Sequence, residues 1–222
     1  MKFVLTITFL SLFGLQQYEP KTGDLLFQDL DCGPLCDAIE AVTQGIDGAK
    51  FSHIGMVIQT DTGTYVYEAI GAGVVLTPLS EFLNRSLDAV GSPKVLAGRL
   101  SEEYSELTEK IKAEALNYLG QPYDTVYLMN NDAWYCSELL YQCFVDVSGD
   151  SNFFSIEPMT FKAPGDSAFF AAWEEYYSKM NTPIPQGKPG LNPAGISRSD
   201  KIQIVWQFGC PEGYRPCRSV DK

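Results

Sequence analysis

The chain has 222 residues, of which 45% are hydrophobic, so it can bury the core of one domain of ordinary size. Its formal net charge is −12, and an average surface of that sign repels nucleic-acid phosphates and anionic lipid headgroups. We therefore expect a single domain that has no nucleic-acid partner.

The N-terminal residues 1–15, MKFVLTITFLSLFGL, place one lysine before a short apolar run. The run is too short to span a bilayer comfortably, and a basic residue followed by such a run is typical of a secretory signal. An uncleaved anchor and a buried first strand are the alternatives. We predict a signal peptide at 1–15, one domain at 16–222, a periplasmic or secreted location, and no stable membrane insertion after cleavage.

Most predicted strands precede residue 101. They are short runs rich in β-branched and aromatic residues, bounded by turn residues. In chain order they cover residues 23–30, 51–59, 64–71, 74–78 and 94–100, and a last strand covers 201–208. The sequence TDTG between the second and third strands is typical of a hairpin, so we expect an antiparallel sheet. A turn or a short helix is expected after Pro78.

Three helices are predicted from apolar residues at helical spacing. They cover, in chain order, residues 101–120, 135–147 and 166–180. The first is predicted to begin at Ser101 and to stop at Gly120, and it carries Leu107, Ile111, Ala115 and Leu116 at helical spacing. The third is expected to have an Asp or Ser cap.

The stretch 182–195 is rich in proline and glycine, which predicts an irregular surface loop. Strands and helices are otherwise segregated along the chain. This arrangement indicates the α+β class, with an antiparallel sheet packed against helices.

Six cysteines suit the oxidising compartment that an exported chain reaches. Cys32 and Cys36 lie in DCGPLC, and Cys210 and Cys217 lie in CPEGYRPC. We predict local pairing within each segment, although four cysteines permit three connectivities and the spacing does not choose among them. A four-thiolate zinc site is the alternative, but neither segment has the tight spacing that favours zinc. Cys136 and Cys143 are left without a predicted disulfide partner.

One histidine and one of those cysteines form a candidate catalytic pair. His53 is the single histidine of the chain and lies in a β-rich run, where a histidine is more often structural than catalytic. Cys136 lies at a predicted helix start, where backbone N–H groups stabilise a thiolate and can hold an oxyanion. Because a thiol beside an imidazole is an activated nucleophile, we predict Cys136 as the nucleophile and His53 as its base.

Glu68 is the candidate for orienting the imidazole. If the hairpin turns through a four-residue loop at 60–63, Gln59 faces Thr64, and Glu68 becomes a diagonal neighbour of His53 on the same sheet face. A three-residue loop would put Glu68 on the other face. A solvated carboxylate without a catalytic role is the alternative.

Several motifs in a fixed order carry a family resemblance. GDLLF, SHIGMVI, VYEAIGAGVVLTPLSEFL, GQPYDTVY and WYCSELLY follow one another over about residues 22–145. This order resembles the YiiX/YebB-like branch of the NlpC/P60 superfamily, whose papain-like fold is circularly permuted so that the strand histidine precedes the helix cysteine. The resemblance implies that fold, with Cys136 as nucleophile, His53 as general base and Glu68 as the orienting group. The four paired cysteines and the segment after residue 180 are not part of the pattern.

Aromatic and acidic residues near Cys136 are candidates for substrate binding. The resemblance places Tyr123 and Asp124 on the PYD motif of the family, near the site. Trp134 and Tyr135 precede the nucleophile and are predicted, with these two, to contact substrate. Core packing explains such aromatic side chains equally well.

The resemblance implies an amide hydrolase acting through a thioester intermediate, with cell-wall peptide or another peptide or isopeptide amide as its substrate. The expected chemistry needs no metal and no other cofactor, and we expect a monomer. One alternative is an acyltransferase, or a thioester or lipid ester hydrolase of the lecithin:retinol acyltransferase type. A binding module without turnover is the other.

Overall fold

The central element of the fold is a six-stranded antiparallel sheet. The computed structural model describes residues 17–163 and 168–219, so the predicted signal peptide and the predicted cap of the third helix lie outside the described residues. The order of strands across the sheet is β4-β3-β2-β1-β5-β8. These strands are β1 (Leu25–Gln28), β2 (His53–Thr60), β3 (Gly63–Ile70), β4 (Gly73–Pro78), β5 (Val95–Leu100) and β8 (Ile202–Gln207), while β6 (Glu157–Pro158) and β7 (Pro189–Gly190) form a separate pair.

The hairpin formed by β2 and β3 has the predicted register. Gln59 pairs with Thr64, as a four-residue loop requires. The pairing continues for one more step to Thr60 and Gly63, so the turn itself has two residues instead of four. Because side chains alternate along each strand, this register puts Glu68 on the same face as His53.

Six α-helices form within the described part of the chain. The predicted helix at 135–147 is confirmed, and so is the short helix after Pro78. The helices are α1 (Pro34–Val42), α2 (Leu79–Leu83), α3 (Leu107–Ala115), α4 (Cys136–Ser148), α5 (Ala168–Lys179) and α6 (Pro193–Ser197).

The prediction of one helix over 101–120 is wrong in its length. Short 3₁₀ turns flank α3 on both sides, and Ser101 makes no capping hydrogen bond with its side chain. The apolar residues Leu107, Ile111 and Ala115 are buried on one face. Leu116 is 47% exposed, because nine residues after Leu107 it points to the opposite side of a helix with 3.6 residues per turn.

The prediction of a surface loop at 182–195 is also wrong for its second half. Leu191 and Ala194 are buried, and β7 and α6 form within or beyond this stretch. Asn192 begins α6 by accepting a hydrogen bond from the Gly195 N–H at 2.8 Å. In the second half of this stretch, proline and glycine form a buried turn and the start of a helix instead of an exposed loop.

Both faces of the sheet are covered. On one face, apolar side chains of β1 and β2 pack against α3 and α4 to form the main core. On the other, Phe82 of α2 covers a smaller apolar cluster with Leu26, Val57 and Val66. A third group, here called the cap cluster, joins α1 to α5 and consists of Ala38, Phe161, Trp173 and Tyr177. Among the described residues, no helix has the length and apolar character needed to cross a bilayer.

The predicted local disulfides are confirmed. Cys32 is bonded to Cys36, and Cys210 is bonded to Cys217. The first bond closes the start of α1, and the second closes the C-terminal loop beyond β8. Cys136 is one of two cysteines left as free thiols.

We predict that protein secreted into an oxidising medium has two titratable thiols per chain. Thiol counting in denaturant without reductant measures this number, and the same assay after reduction should count all six cysteines. Counting six thiols without reductant would contradict the pairing.

Candidate active site

The candidate nucleophile lies at the free end of a helix. Cys136 is the first residue of α4, and Tyr135 before it is in extended conformation. The first hydrogen bond of the helix runs from the Leu139 N–H to the Tyr135 carbonyl at 3.0 Å. The N–H groups of Cys136 and Ser137 therefore lie at the end of the helix that attracts negative charge. The Cys136 side chain is buried but lines a cavity.

The segment around Leu191 holds the start of α4 in place. Ser137 donates its hydroxyl to the Leu191 carbonyl at 3.0 Å, and the Leu191 N–H donates to the Tyr135 hydroxyl at 3.3 Å. The Ser137 hydroxyl therefore forms a structural hydrogen bond. The stretch that was predicted as a surface loop supports the residues on both sides of Cys136.

The candidate base lies at one end of the sheet. His53 is the first residue of β2, so the N-terminus of α4 reaches its ring from the opposite face of the sheet. His53 Nε2 lies 2.6 Å from Glu68 Oε2, and the ring lines the same cavity as Cys136, close enough to interact with its sulfur. Because Nε2 is engaged by the carboxylate, Nδ1 is the nitrogen left for a second partner.

The surroundings of His53 favour its protonated form. Burial alone would lower the pKa of the imidazole, since burial penalises its charge. Interactions of the ring with Cys136 and Glu68 outweigh this effect and raise the pKa of His53 to about 9. The site is therefore arranged to hold an imidazolium beside a sulfur at neutral pH.

Glu68 is fully buried and receives three donors. Besides the imidazole, Arg85 donates to both carboxylate oxygens, at 2.8 Å to Oε2 and 2.6 Å to Oε1. Thr77 donates its hydroxyl to Oε1 at 2.5 Å. Burial raises the pKa of the carboxyl, but the hydrogen bonds from His53, Arg85 and Thr77 lower it to about 2.

The sequence analysis missed Arg85 and Thr77. A signal for Thr77 existed, because β4 follows β3 directly and Val75 pairs with Glu68, which puts Thr77 two residues along on the same face. No periodic pattern marks Arg85, which lies just after α2. Its role becomes visible only when the helix is folded against the sheet.

A cavity of about 960 Å³ opens beside Cys136 and His53. Its wall is mainly apolar and aromatic. Contributing side chains come from α1, from the cap cluster and from the segment before α4, and they include Leu35, Ile39, Phe161, Trp173, Tyr123 and Tyr135. Two of the four predicted substrate contacts, Tyr123 and Tyr135, thus lie where a substrate can touch them.

The other two predicted substrate contacts, Asp124 and Trp134, are not among the described residues that line the cavity. Asp124 accepts the backbone N–H groups of Val126 and Leu128, each at 2.7 Å, and so orders its own loop. The Trp134 indole donates to Gln121 at 2.5 Å. Backbone hydrogen bonds between Trp134 and residues on either side of Tyr123 tie this loop to the strand-like entry of α4.

Cys143 has a different environment on the same helix. It is fully buried in the main core, and its sulfur lies 3.8 Å from the Tyr67 hydroxyl. Burial raises the pKa of this thiol to about 12. This cysteine is an apolar core residue at neutral pH.

Comparisons with known proteins identify the family of the chain. The model of the family described as permuted papain-like amidase enzymes, YaeF/YiiX, C92, matches residues 19–206. The uncharacterized protein YiiX of Escherichia coli strain K12 is 30% identical over 132 residues, which is 60% of this chain and 61% of that protein. The matched region thus spans about three fifths of this curated relative.

A solved structure shares the fold over most of the chain. It is the crystal structure of a protein described as metalloprotein yiiX from Escherichia coli O157:H7, with a TM-score of 0.72 at 25% identity. The alignment covers 87% of this chain and all of the other. The six-stranded sheet with its packed helices is therefore the α+β permuted papain-like arrangement that the sequence predicted.

We predict that brief iodoacetamide treatment at pH 7 labels Cys136 faster than Cys143 by at least about an order of magnitude, because only Cys136 lines a cavity beside an imidazole. Peptide mapping by mass spectrometry measures both rates. Native Cys136→Ala protein is the matched control and should take up almost no label. Equal labelling of the two thiols would contradict the assignment.

Proposed function

The chain belongs to the permuted papain-like amidase family, and on that premise we propose that it is an exported cysteine amidase with Cys136 as nucleophile and His53 as general base. The observation that carries the proposal is a cavity that brings together Cys136, at the free end of α4, and the imidazole of His53, whose Nε2 lies 2.6 Å from the buried Glu68 carboxylate. A nucleophile, a base and an orienting group in this sequence of contacts are what acyl transfer requires.

Acylation follows from the arrangement of charges. The Cys136 thiolate attacks the amide carbonyl, and the carbonyl oxygen becomes an oxyanion. The N–H groups of Cys136 and Ser137 at the free end of α4 stabilise that charge. The imidazolium of His53 then gives its proton to the leaving amine, the C–N bond breaks, and a thioester remains on Cys136.

Deacylation uses the same base in its neutral form. His53 accepts a proton from water as the water oxygen attacks the thioester carbonyl. The C–S bond breaks, the carboxylic acid leaves, and the sulfur departs as a thiolate. The released thiolate and the newly formed imidazolium are the starting pair, so the cycle is balanced in protons.

The residues of this site do not fit a resident metal ion. The solved relative is described as a metalloprotein. Here Glu68 and His53 Nε2 are engaged with each other, with Arg85 and with Thr77, which leaves two donor atoms, Cys136 Sγ and His53 Nδ1. Protein zinc sites use three or four donors. Within residues 17–163 and 168–219, no group of three or more such side chains is arranged to hold a metal ion.

For the substrate, we propose a peptide or isopeptide amide, with cell-wall peptide as the first class to test. The tyrosines Tyr123 and Tyr135 border the nucleophile and can pack against such a chain. The mainly apolar wall of the cavity favours a second candidate, transfer or hydrolysis of a fatty acyl group from a thioester or ester. A thioester intermediate serves both reactions.

Export is supported by the two disulfides, which are typical of proteins in oxidising compartments. We propose a periplasmic or secreted protein that acts as a monomer. Its net charge of −12 makes a polyanionic partner such as nucleic acid unfavourable.

We predict an order of defects among three variants. Cys136→Ala and His53→Ala should each lose nearly all turnover, roughly a hundredfold or more, because the chain has no second histidine to replace the base. Glu68→Gln should lose less, since the amide keeps a hydrogen bond but not the charge. Turnover is measured on peptidoglycan stem peptides and, in parallel, on acyl thioesters.

Each variant needs circular dichroism to establish that it is folded. A folded His53→Ala protein with wild-type activity would overturn the mechanism. Turnover of thioesters without turnover of any amide would instead favour the second candidate reaction.

We also predict the direction of a pH shift. The value of kcat/KM should fall as the pH rises through about 9, where the imidazolium of His53 loses its proton. Glu68→Gln removes a negative neighbour, which lowers the pKa of His53, so the alkaline limb should move to lower pH. A limb that stays in place or moves upward in this variant would contradict the contact between Glu68 and the base.

A further inference from the structure

Arg85 contacts the candidate site through Glu68 and Phe82. Its guanidinium donates two hydrogen bonds to the Glu68 carboxylate, and its side chain is only 20% exposed. It lies over the ring of Phe82, 5.4 Å from the ring centroid. The same ring packs 5.9 Å from the imidazole of His53. Phe82 thus shields the Glu68 pair from water on the side of α2.

The backbone around Arg85 is held in place as well. The Phe82 carbonyl accepts a hydrogen bond from the buried Gln28 side chain at 2.9 Å. Ser86, the next residue along the chain, donates its hydroxyl to Asp31 at 2.9 Å. The guanidinium is therefore carried by an anchored turn instead of a free surface loop.

A buried carboxylate without a counter-charge would stabilise the imidazolium so strongly that His53 would not readily lose its proton. This is harmless while His53 must be an imidazolium, but deacylation needs the neutral ring. Once Cys136 is acylated its negative charge is gone, and Glu68 is the remaining anion in contact with the imidazole. Whether His53 can release its proton at that stage depends on how much of the Glu68 charge is neutralised.

We propose that Arg85 is a positioning residue that fixes Glu68 and offsets its charge, so that His53 can become neutral and activate water in deacylation. The proposal deepens the function given above and rests on it for the catalytic consequence. The contact between Arg85 and Glu68 does not depend on any substrate.

The charged groups that face His53 come from three elements. Glu68 comes from β3, Cys136 from α4, and Arg85 acts from the turn after α2. On the side of α1, Glu40 accepts a hydrogen bond at 2.6 Å from Ser52, the residue before His53, instead of contacting the ring. Removing Arg85 and removing Glu68 should therefore change the proton affinity of His53 in opposite directions.

The experiment is a titration of the single histidine by NMR in tag-free protein that carries Cys136→Ala. This background removes the thiolate, as acylation does, and it requires no substrate. Adding Arg85→Ala or Arg85→Gln should raise the pKa of His53 by about one unit, a tenfold change in proton affinity. Adding Glu68→Gln should lower it, and Arg85→Lys, which keeps the charge, should leave it nearly unchanged.

Arg99 supplies the matched control. It forms the same type of double hydrogen bond with a buried carboxylate, to Asp24 Oδ1 at 2.7 Å and Oδ2 at 2.8 Å. Asp24 lies four residues along the chain from Gln28, the residue that pairs with His53. Adding Arg99→Ala should leave the titration of His53 unchanged.

The proposal is overturned if the pKa of His53 stays the same or falls in both neutral variants of Arg85, or if Arg99→Ala raises it equally. Folding of each protein is checked by circular dichroism, and Arg85→Gln serves if Arg85→Ala does not fold. In protein with Cys136 intact, the proposal expects kcat to fall more than kcat/KM, with the acyl-enzyme visible by intact mass. An unchanged kcat in an active enzyme would also overturn it, whereas inactivity of the wild type would reject the proposed function alone.

Discussion

The buried carboxylate of Glu68 is the constraint on which the rest of the site depends. Removing a carboxylate from water costs on the order of several kcal/mol unless partners replace the lost hydration. The fold supplies three partners from three different places in the chain: the start of β2, the end of β4 and the turn after α2. The register of two hairpins and the position of α2 are therefore all needed to make one buried charge tolerable.

The part of the site that lies on regular structure could be predicted from the sequence. Alternation along a hairpin is a strong rule, so the pairing of Gln59 with Thr64 was enough to bring Glu68 to the side of His53. The start of α4 was marked by a change from polar, turn-forming residues to a helical apolar pattern, and that put Cys136 at a helix end.

What could not be predicted lies where tertiary contacts override local composition. The stretch around Leu191 has the composition of a loop, yet it is buried because it braces the start of α4. Arg85 belongs to no periodic pattern, and its place beside Glu68 depends on how α2 packs against the sheet. Asp124 was associated with the site by its position in a motif, while its carboxylate serves the loop backbone.

The candidate catalytic residues and the rest of the cavity wall belong to different parts of the fold. Cys136, His53 and Glu68 belong to the sheet and to α4, whereas much of the remaining wall comes from α1 and from the cap cluster that joins α1 to α5. Substitutions in the cap cluster can therefore reshape the cavity without removing the hydrogen bond between His53 and Glu68. The size and polarity of what the cavity accepts are in this sense separable from the groups proposed to react, and variants of the cap cluster can alter the first without touching the second.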